Sequence, residues 1–130
     1  MENDMRYLVL VAGLAASGCG AEPEAIPGLW QIETLDGEAF AARAMVDMSE
    51  PGRISGKAPC NGFSGSREGT LAAFELGPLM ATKMACPDLS DESRFFEQLG
   101  AMTSAVEEGG KLVLSDGAGG GMVFVPAPAE

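Results

Sequence analysis

Near the middle of the chain lies the segment Gly56-Lys57-Ala58-Pro59-Cys60-Asn61-Gly62-Phe63-Ser64-Gly65. Asn61 and Gly62 tolerate positive φ, and Cys60 offers a sulfur that can tie the segment to another part of the chain. The pattern therefore predicts a tight, irregular turn that is held at Cys60.

A second cysteine ends a methionine-rich segment further along, Leu79-Met80-Ala81-Thr82-Lys83-Met84-Ala85-Cys86-Pro87. Lys83 is the only base in this segment. We expect it to project from a strand into solvent, and the alternative is a desolvated functional amine.

The flanking sequence predicts a small antiparallel sheet. Alternation of apolar and polar residues, or short apolar runs between turn residues, indicates strands. The predicted strands are Trp30 to Glu33, Ala44 to Met48, Arg53 to Gly56, Thr70 to Leu76, Lys111 to Ser115 and Met122 to Val125. The last two form a closing hairpin.

One main helix is predicted from Asp91 to about Val106. An apolar stripe runs along it at i, i+4, i+7 and i+11, formed by Phe95, Leu99, Met102 and Val106. Ser90 can cap this helix and Gly109-Gly110 can stop it. A sheet with one such helix belongs to the α+β class.

The N-terminal residues indicate export. The apolar run from Tyr7 to Ala16 has the length of a signal-peptide core and is too short to span a bilayer, which takes roughly 20 residues. Cys19 follows Ala16-Ser17-Gly18 and looks like the lipobox cysteine of bacterial lipoproteins, which is lipidated after the chain is cut before it. A core helix and an ordinary signal peptide are the alternatives.

Assigning Cys19 to a lipid leaves Cys60 and Cys86 as a pair among the 3 cysteines. An exported protein enters an oxidising compartment, so we expect a disulfide bond between them. Two free thiols or a metal site are the alternatives, although two cysteines without any histidine make a poor zinc site. The bond would pin the turn around Cys60 to the start of the helix.

The chain resembles the META domain of HslJ-like heat-shock lipoproteins. That family combines a tryptophan in its first strand, a Gly-x-x-Gly-Cys-Asn-x-x-x-Gly segment, a Thr-x-Met-Ala-Cys segment, a phenylalanine-rich helix and a final hairpin. The matching residues are Trp30, Gly56, Cys60, Asn61, Gly65, Thr82, Met84, Ala85, Cys86, Phe95, Phe96, Leu112, Leu114 and Phe124. The resemblance implies a strongly bent antiparallel β-sheet wrapped around one main α-helix.

This sequence departs from the family pattern at two places. Pro59 stands where a glycine commonly precedes the cysteine, and Ser66-Arg67 stands where an aromatic residue often follows the second glycine. The predicted organisation is a lipoprotein signal peptide over 1–18, a tether over 19–27, a META/HslJ-like domain over 28–125 and a disordered tail over 126–130.

The composition argues against several classes of function. The chain has no histidine, which excludes Ser-His and Cys-His nucleophiles, and carboxylates such as Glu92 are interpreted as solvated surface charges. We therefore expect no enzyme, and no catalytic, cofactor-binding or metal site. A formal charge of -11 with scattered bases argues against nucleic-acid binding.

Together these features predict a non-enzymatic, monomeric lipoprotein that is tethered to a membrane through Cys19. The resemblance implies a role in envelope stress response or tolerance, which we expect to operate through an envelope protein partner. Gly20 stands where an inner-membrane retention signal would have aspartate, which favours the outer membrane, facing the periplasm.

The alternative function is a carrier or sensor that holds a small apolar ligand in the core between sheet and helix. It rests on the methionines of the mature chain, because methionine lines adaptable pockets as well as irregular cores. These residues are Met45, Met48, Met80, Met84, Met102 and Met122. Simple filling of the core is the other interpretation of them.

Overall fold

In the computed structural model, which describes residues 25–128, ten strands and one helix follow the alternating and amphipathic patterns of the sequence. In chain order the elements are β1 (Ile26–Leu35), β2 (Glu38–Ala39), β3 (Met45–Met48), β4 (Arg53–Lys57), β5 (Gly62–Gly69), β6 (Phe74–Leu76), β7 (Met80–Ala81), α1 (Leu89–Gly100), β8 (Ser104–Glu108), β9 (Lys111–Ser115) and β10 (Gly121–Pro126). The predicted signal peptide, the lipidation of Cys19 and the tether up to residue 24 lie outside the described residues. In the described range no helix has the length and apolar character that crossing a membrane requires.

The strands form one antiparallel sheet in the order β6-β5-β4-β3-β1-β10-β9-β8, with β2 paired to β1 and β7 paired to β5. The sheet bends so far that residues near its two edges meet. Phe74 N donates to Thr103 O at 2.7 Å, and Ala105 N donates to Leu71 O at 2.8 Å. The predicted α+β fold, a strongly bent antiparallel sheet with one helix, is confirmed.

The helix contributes the centre of the core. Phe95 and Leu99 are fully buried, and the Phe95 ring lies 5.8 Å from that of Phe63 and 6.4 Å from that of Phe40. Trp30 of β1 is also buried, and its indole N–H donates to Pro27 O at 3.1 Å. Aromatic side chains from the sheet and the helix therefore fix how the two pack.

The helix is shorter at its C-terminal end than predicted. It ends at Gly100, where the backbone N–H of Ala101 donates to Gln98 O and that of Met102 donates to Leu99 O, each at 3.1 Å. Met102 still packs in the core, but Val106 lies in β8 and is 49% exposed. Pairing of β8 with β9 thus overrides an apolar spacing that would also suit a helix.

The predicted caps of this helix are wrong. The N-cap is Asp88, without a side-chain hydrogen bond, so Ser90 lies inside the first turn. Gly109 and Gly110 form the turn between β8 and β9, and both have positive φ, 62° and 78°. A two-residue hairpin turn of that kind favours glycine at both positions.

The predicted boundaries also shift at other points. The strand predicted from Thr70 is limited to β6, because Ala73 N donates to Thr70 Oγ1 at 3.1 Å and closes a turn. Ile26 is buried in β1, so the tether ends before it, and Pro126 belongs to β10 rather than to a disordered tail. Residues 129–130 lie outside the described range.

Gly56 permits a close approach of two backbones. It pairs with Val46 of β3, and a Cβ atom at Gly56 would overlap the carbonyl oxygen of Met45. The sequence prediction placed the conformational freedom of this segment at Asn61 and Gly62, but neither has positive φ. The glycine that the fold requires here is the one inside β4.

Substituting Gly56→Ala is expected to lower the free energy of unfolding by about 1–3 kcal/mol, because β3 and β4 must separate to admit the methyl group. Gly100→Ala is the matched control, since nothing lies within 4 Å of a Cβ atom there. Urea unfolding of both variants gives the measurement. Equal stability of the two would contradict the close approach of β3 to β4.

Candidate functional site

The two cysteine segments and the start of α1 meet at one corner of the sheet. Cys60 lies in the turn between β4 and β5, and Cys86 lies just before α1. The two are joined by a disulfide bond, with their Cα atoms 6.2 Å apart. The structure thus contains the bond that pins the turn to the helix entry.

Asn61 links the turn to the segment that precedes the helix. It is only 3% exposed. Its Oδ1 accepts hydrogen bonds from Thr82 Oγ1 at 2.8 Å and from Met84 N at 2.6 Å. Its Nδ2 donates to Met84 O at 3.3 Å and to Glu92 Oε2 at 2.7 Å. The amide oxygen and the amide nitrogen of Asn61 are therefore both fully hydrogen-bonded, and these bonds hold three parts of the chain together.

Glu92 supplies the third side of this corner from the first turns of α1. It is 6% exposed, and its Oε1 accepts hydrogen bonds from the backbone N–H groups of Cys60 and Asn61, each at 2.8 Å. Burial raises the pKa of Glu92, but the hydrogen bonds from Asn61 and Cys60 outweigh it and hold the pKa below its ordinary value. The group is a charged carboxylate that accepts from three donors.

Sequence reasoning missed Glu92 by treating it as a solvated charge. The sequence contained a sign of its burial. Glu92 precedes Phe95 by three residues and Leu99 by seven, so it lies on the buried face of the helix. An acid on an apolar stripe requires a buried partner. The partner is the Cys60-Asn61 turn.

Arg67 is a second buried charge that the sequence did not predict. It is 2% exposed, and its guanidinium lies 5.9 Å from the centre of the Phe74 ring. Its Nε donates to Arg53 O at 3.2 Å. Arg67 thus packs on an aromatic ring in the part of the chain where the sequence departs from the expected motif.

The outer side of the corner is an apolar surface formed by Met80, Met84 and Leu89, which we call the methionine surface. Their exposed fractions are 74%, 60% and 42%. Met84 and Leu89 line one shallow depression, and Met80 lines a second one that shares Ala81 and Thr82 with the first. Exposed apolar side chains grouped in this way are typical of contact sites.

Two lysines border the methionine surface. Lys83 is exposed, as expected, and Lys57 is exposed at the end of β4. They are connected through Gly62, which pairs with Lys57 and whose carbonyl oxygen accepts from Thr82 N at 3.1 Å. Within residues 25–128 neither lysine forms an ion pair.

The predicted motif residues fall into two groups. The corner contains Cys60, Asn61, Thr82, Met84, Ala85 and Cys86. Trp30, Gly56 and Gly65 lie elsewhere and have packing roles. A Cβ atom at Gly65 would come within 2.8 Å of Leu79 Cδ2, so this glycine makes room for the segment before β7.

The carboxylate and the cysteines of the corner are bonded within the chain. Residues 25–128 contain no group of three or more His, Cys, Asp or Glu side chains that could hold a metal ion. Glu92 is occupied by its three donors, and the two cysteines are joined to each other. The accessible features of the site are its apolar side chains and its two lysines.

Comparison with known proteins agrees with this fold. The sequence profile of the META domain family matches residues 24–129. Two solved structures share the fold, both with a TM-score of 0.59. One is the NMR structure of a protein from Burkholderia xenovorans, 18% identical, with 92% of this chain and 100% of that chain covered. The other, also from NMR, is 19% identical, with 82% and 96% covered. No curated protein matches the sequence significantly.

Proposed function

This chain belongs to the META domain family, and on that basis we propose that it is a non-enzymatic lipoprotein of the cell envelope. It is anchored through Cys19 in the outer membrane, faces the periplasm, and supports tolerance of envelope stress by contacting a protein partner. The observation that carries the proposal is the methionine surface, which presents three large apolar side chains on a corner fixed by a disulfide bond.

The length of the tether supports anchoring close to the membrane. Residues 19–24 separate the expected lipid from the described domain, and six residues span at most about 20 Å. The domain begins at β1, where Ile26 pairs with Met48 at the end of β3. The end of the sheet that contains Ile26 and Met48 is therefore the one nearest the anchor.

The register of the strands places the methionine surface at the other end. Met45, at the start of β3, pairs with Lys57, and Lys57 pairs with Gly62, next to the methionine surface. Met48 and Arg53 lie at the opposite ends of β3 and β4. A domain anchored at Ile26 would thus present the methionine surface away from the membrane, toward a partner.

The residues also support a role without catalysis. Histidine is absent from the sequence, and the buried carboxylate of Glu92 already accepts from Cys60 and Asn61. A carboxylate held in this way stabilises a turn. Binding through exposed apolar side chains needs no such group.

The carrier function is not proposed, because no observation favours it. Met48, Met102 and Met122 are buried in the packed core, where they contact other core side chains. Met80 and Met84 point to the surface instead. Five of the six methionines that suggested a ligand pocket thus divide between core filling and the contact surface, and the sixth, Met45, is half-buried in β3.

The intact mass of the protein purified from membranes, denatured without reduction, tests the anchor. We expect a chain that begins at Cys19, heavier by its acyl groups and lighter by two hydrogens for the disulfide bond. Cys19→Ser is the control and should leave the chain unlipidated. A full-length, reduced chain would contradict the envelope location.

A complementation experiment tests the contact surface. In a deletion strain under envelope stress, Met84→Asp is expected to lose most of the protection that the wild-type protein restores, because it places a charge in an apolar contact. Val106→Asp is the matched control, since Val106 is equally an exposed apolar residue but lies in β8. Equal protection by both variants would contradict a role for the methionine surface.

A further inference from the structure

We propose that the outer edge of β7, continued through residues 82–84, binds an extended, acidic segment of the partner protein as an added β-strand. The inference rests on the proposed function, since it gives the chemistry of the partner at the methionine surface. Three features carry it: the direction of the main-chain groups, the exposed methionines on either side of them, and the positive charge beside them.

The main-chain groups of Ala81 and Lys83 point away from the sheet. Ala81 lies opposite Phe63 of β5, and Thr82 N donates to Gly62 O at 3.1 Å. In an antiparallel pair this pattern turns Thr82 toward β5, so the residues on either side of it turn the other way. Within residues 25–128, β7 pairs only with β5.

The segment is held in place for such an addition. Asn61 accepts from Met84 N and donates to Met84 O, which fixes the backbone just beyond Lys83. The disulfide bond holds Cys86 two residues later. A preorganised strand edge loses little conformational entropy when a second strand adds to it.

The side chains around this edge select the incoming strand. Met80, Met84 and Leu89 offer apolar surface to alternate side chains of an extended peptide, as in other strand-addition complexes. Lys83 lies on the edge itself, and Lys57 lies two strand spacings away, about 10 Å. The incoming strand would add on the other side of β7, three strand spacings from Lys57, so an acidic side chain in it would approach Lys83.

The distribution of charge favours an acidic partner over a second copy of this chain. The protein has a formal charge of -11, yet the exposed charged side chain on this edge is a base, Lys83, which forms no ion pair within the described range. Two copies joined at this edge would bring their Lys83 side chains together. Lysine on a strand edge opposes that kind of self-association.

A selection from a random ten-residue peptide library on the full-length protein in detergent tests the inference. We expect the enriched peptides to alternate apolar residues with Asp or Glu. Lys83→Glu should weaken their binding about tenfold, and peptides with Lys in place of the acid should recover binding to that variant. Arg53→Glu, at the far end of β4, is the control and should bind as the wild type does.

Amide hydrogen exchange identifies the mode of binding. On addition of an enriched peptide the amides of Ala81 and Lys83 are expected to become protected, whereas Thr82, already bonded to Gly62, should change little. A lack of enriched peptides, or protection at other residues, would overturn the inference. Binding to vesicles that contain both phosphatidylglycerol and phosphatidylethanolamine would also overturn it, if Lys83→Glu weakened that binding as much as it weakened peptide binding. Such a result would indicate a membrane surface instead.

The outcomes separate this inference from the proposed function. A mature chain that begins at lipidated Cys19 but selects no peptide would leave the anchor standing and remove the strand addition. An unprocessed chain that selects acidic peptides, with protection of the amides of Ala81 and Lys83, would remove the anchor and leave the strand addition standing.

Discussion

Replacing Glu92 by alanine is expected to lower the free energy of unfolding by roughly 3 kcal/mol. The substitution leaves three donors in a buried corner without their acceptor: the backbone N–H groups of Cys60 and Asn61 and the side-chain amide of Asn61. Each buried donor that loses its partner costs about 1–3 kcal/mol, and water entering the new space recovers part of that cost.

Glu92→Gln separates the loss of charge from the loss of the side chain. Glutamine keeps one oxygen, which can still accept from the backbone N–H groups of Cys60 and Asn61. Its amide nitrogen would then face the amide nitrogen of Asn61, and two donors cannot bond each other. Asn61 cannot rotate its amide to help, because its oxygen already accepts from Thr82 and Met84. We expect this variant to lose about half as much stability as alanine does.

The dependence of stability on pH provides a second measurement on the same residue. The pKa of Glu92 is lower in the folded protein than in the unfolded chain, so its contribution to stability is fully present above the unfolded pKa. It is lost as pH falls through the folded pKa. Asp116, whose pKa is lowered by hydrogen bonds from the backbone N–H groups of Ala118 and Gly120, acts in the same direction. Asp116 contributes equally to wild type and to Glu92→Gln, so the difference between their free energies of unfolding depends on Glu92 alone.

Urea unfolding at neutral and acidic pH measures these effects, and Glu97→Ala is the matched control. Glu97 is an exposed acid on the same helix, so its removal is expected to change stability by less than about 0.5 kcal/mol. The difference between wild type and Glu92→Gln should shrink as the pH is lowered. Equal stability of Glu92→Ala and Glu97→Ala would mean that the Cys60-Asn61 turn does not depend on the carboxylate.

The sequence predicted the parts of this fold that rest on local pattern. The alternation in residues 111–115 and 122–125 gave the closing hairpin, because one face of each strand is buried and the other is not. The helix start was within two residues of Leu89. The end of the helix was predicted wrongly because Val106 continues the apolar spacing. The pairing of β8 with β9 places Val106 in a strand instead.

The candidate site shows the same division. The two cysteines predicted that the turn meets the helix entry, and the structure contains that disulfide bond, but the contacts of Asn61 with Thr82 and Met84 were not predicted. Glu92 was missed because its partners are backbone N–H groups 31 and 32 residues away, which no local pattern encodes. The exposure of Met80 and Met84 was equally hidden, because methionine in a short segment is as common in a core as on a contact surface.

Removing the disulfide bond by Cys60→Ala with Cys86→Ala is expected to lower the free energy of unfolding by about 3.5 kcal/mol. The bond closes a loop of 26 residues, and in the chain-entropy model that closure restricts the unfolded chain more than the folded one. Wild-type protein reduced with dithiothreitol should unfold at the same urea concentration as the double variant. Unchanged stability on reduction would contradict a stabilising bond.

The disulfide bond and the Glu92 carboxylate stabilise the same corner, so their effects should not add. Without the disulfide bond, residues 82–86 are held mainly through Asn61, which Glu92 in turn holds through its side-chain amide. When the disulfide bond or the Glu92 side chain is removed, the corner loosens and the remaining one stabilises it less. The loss of unfolding free energy in the triple variant should therefore be smaller than the sum of the two separate losses by about 0.5–3 kcal/mol. Amide exchange at Met84 should rise in both parents. Strict additivity would mean that the turn and the helix entry are fixed independently, and that the Met84 backbone does not depend on either.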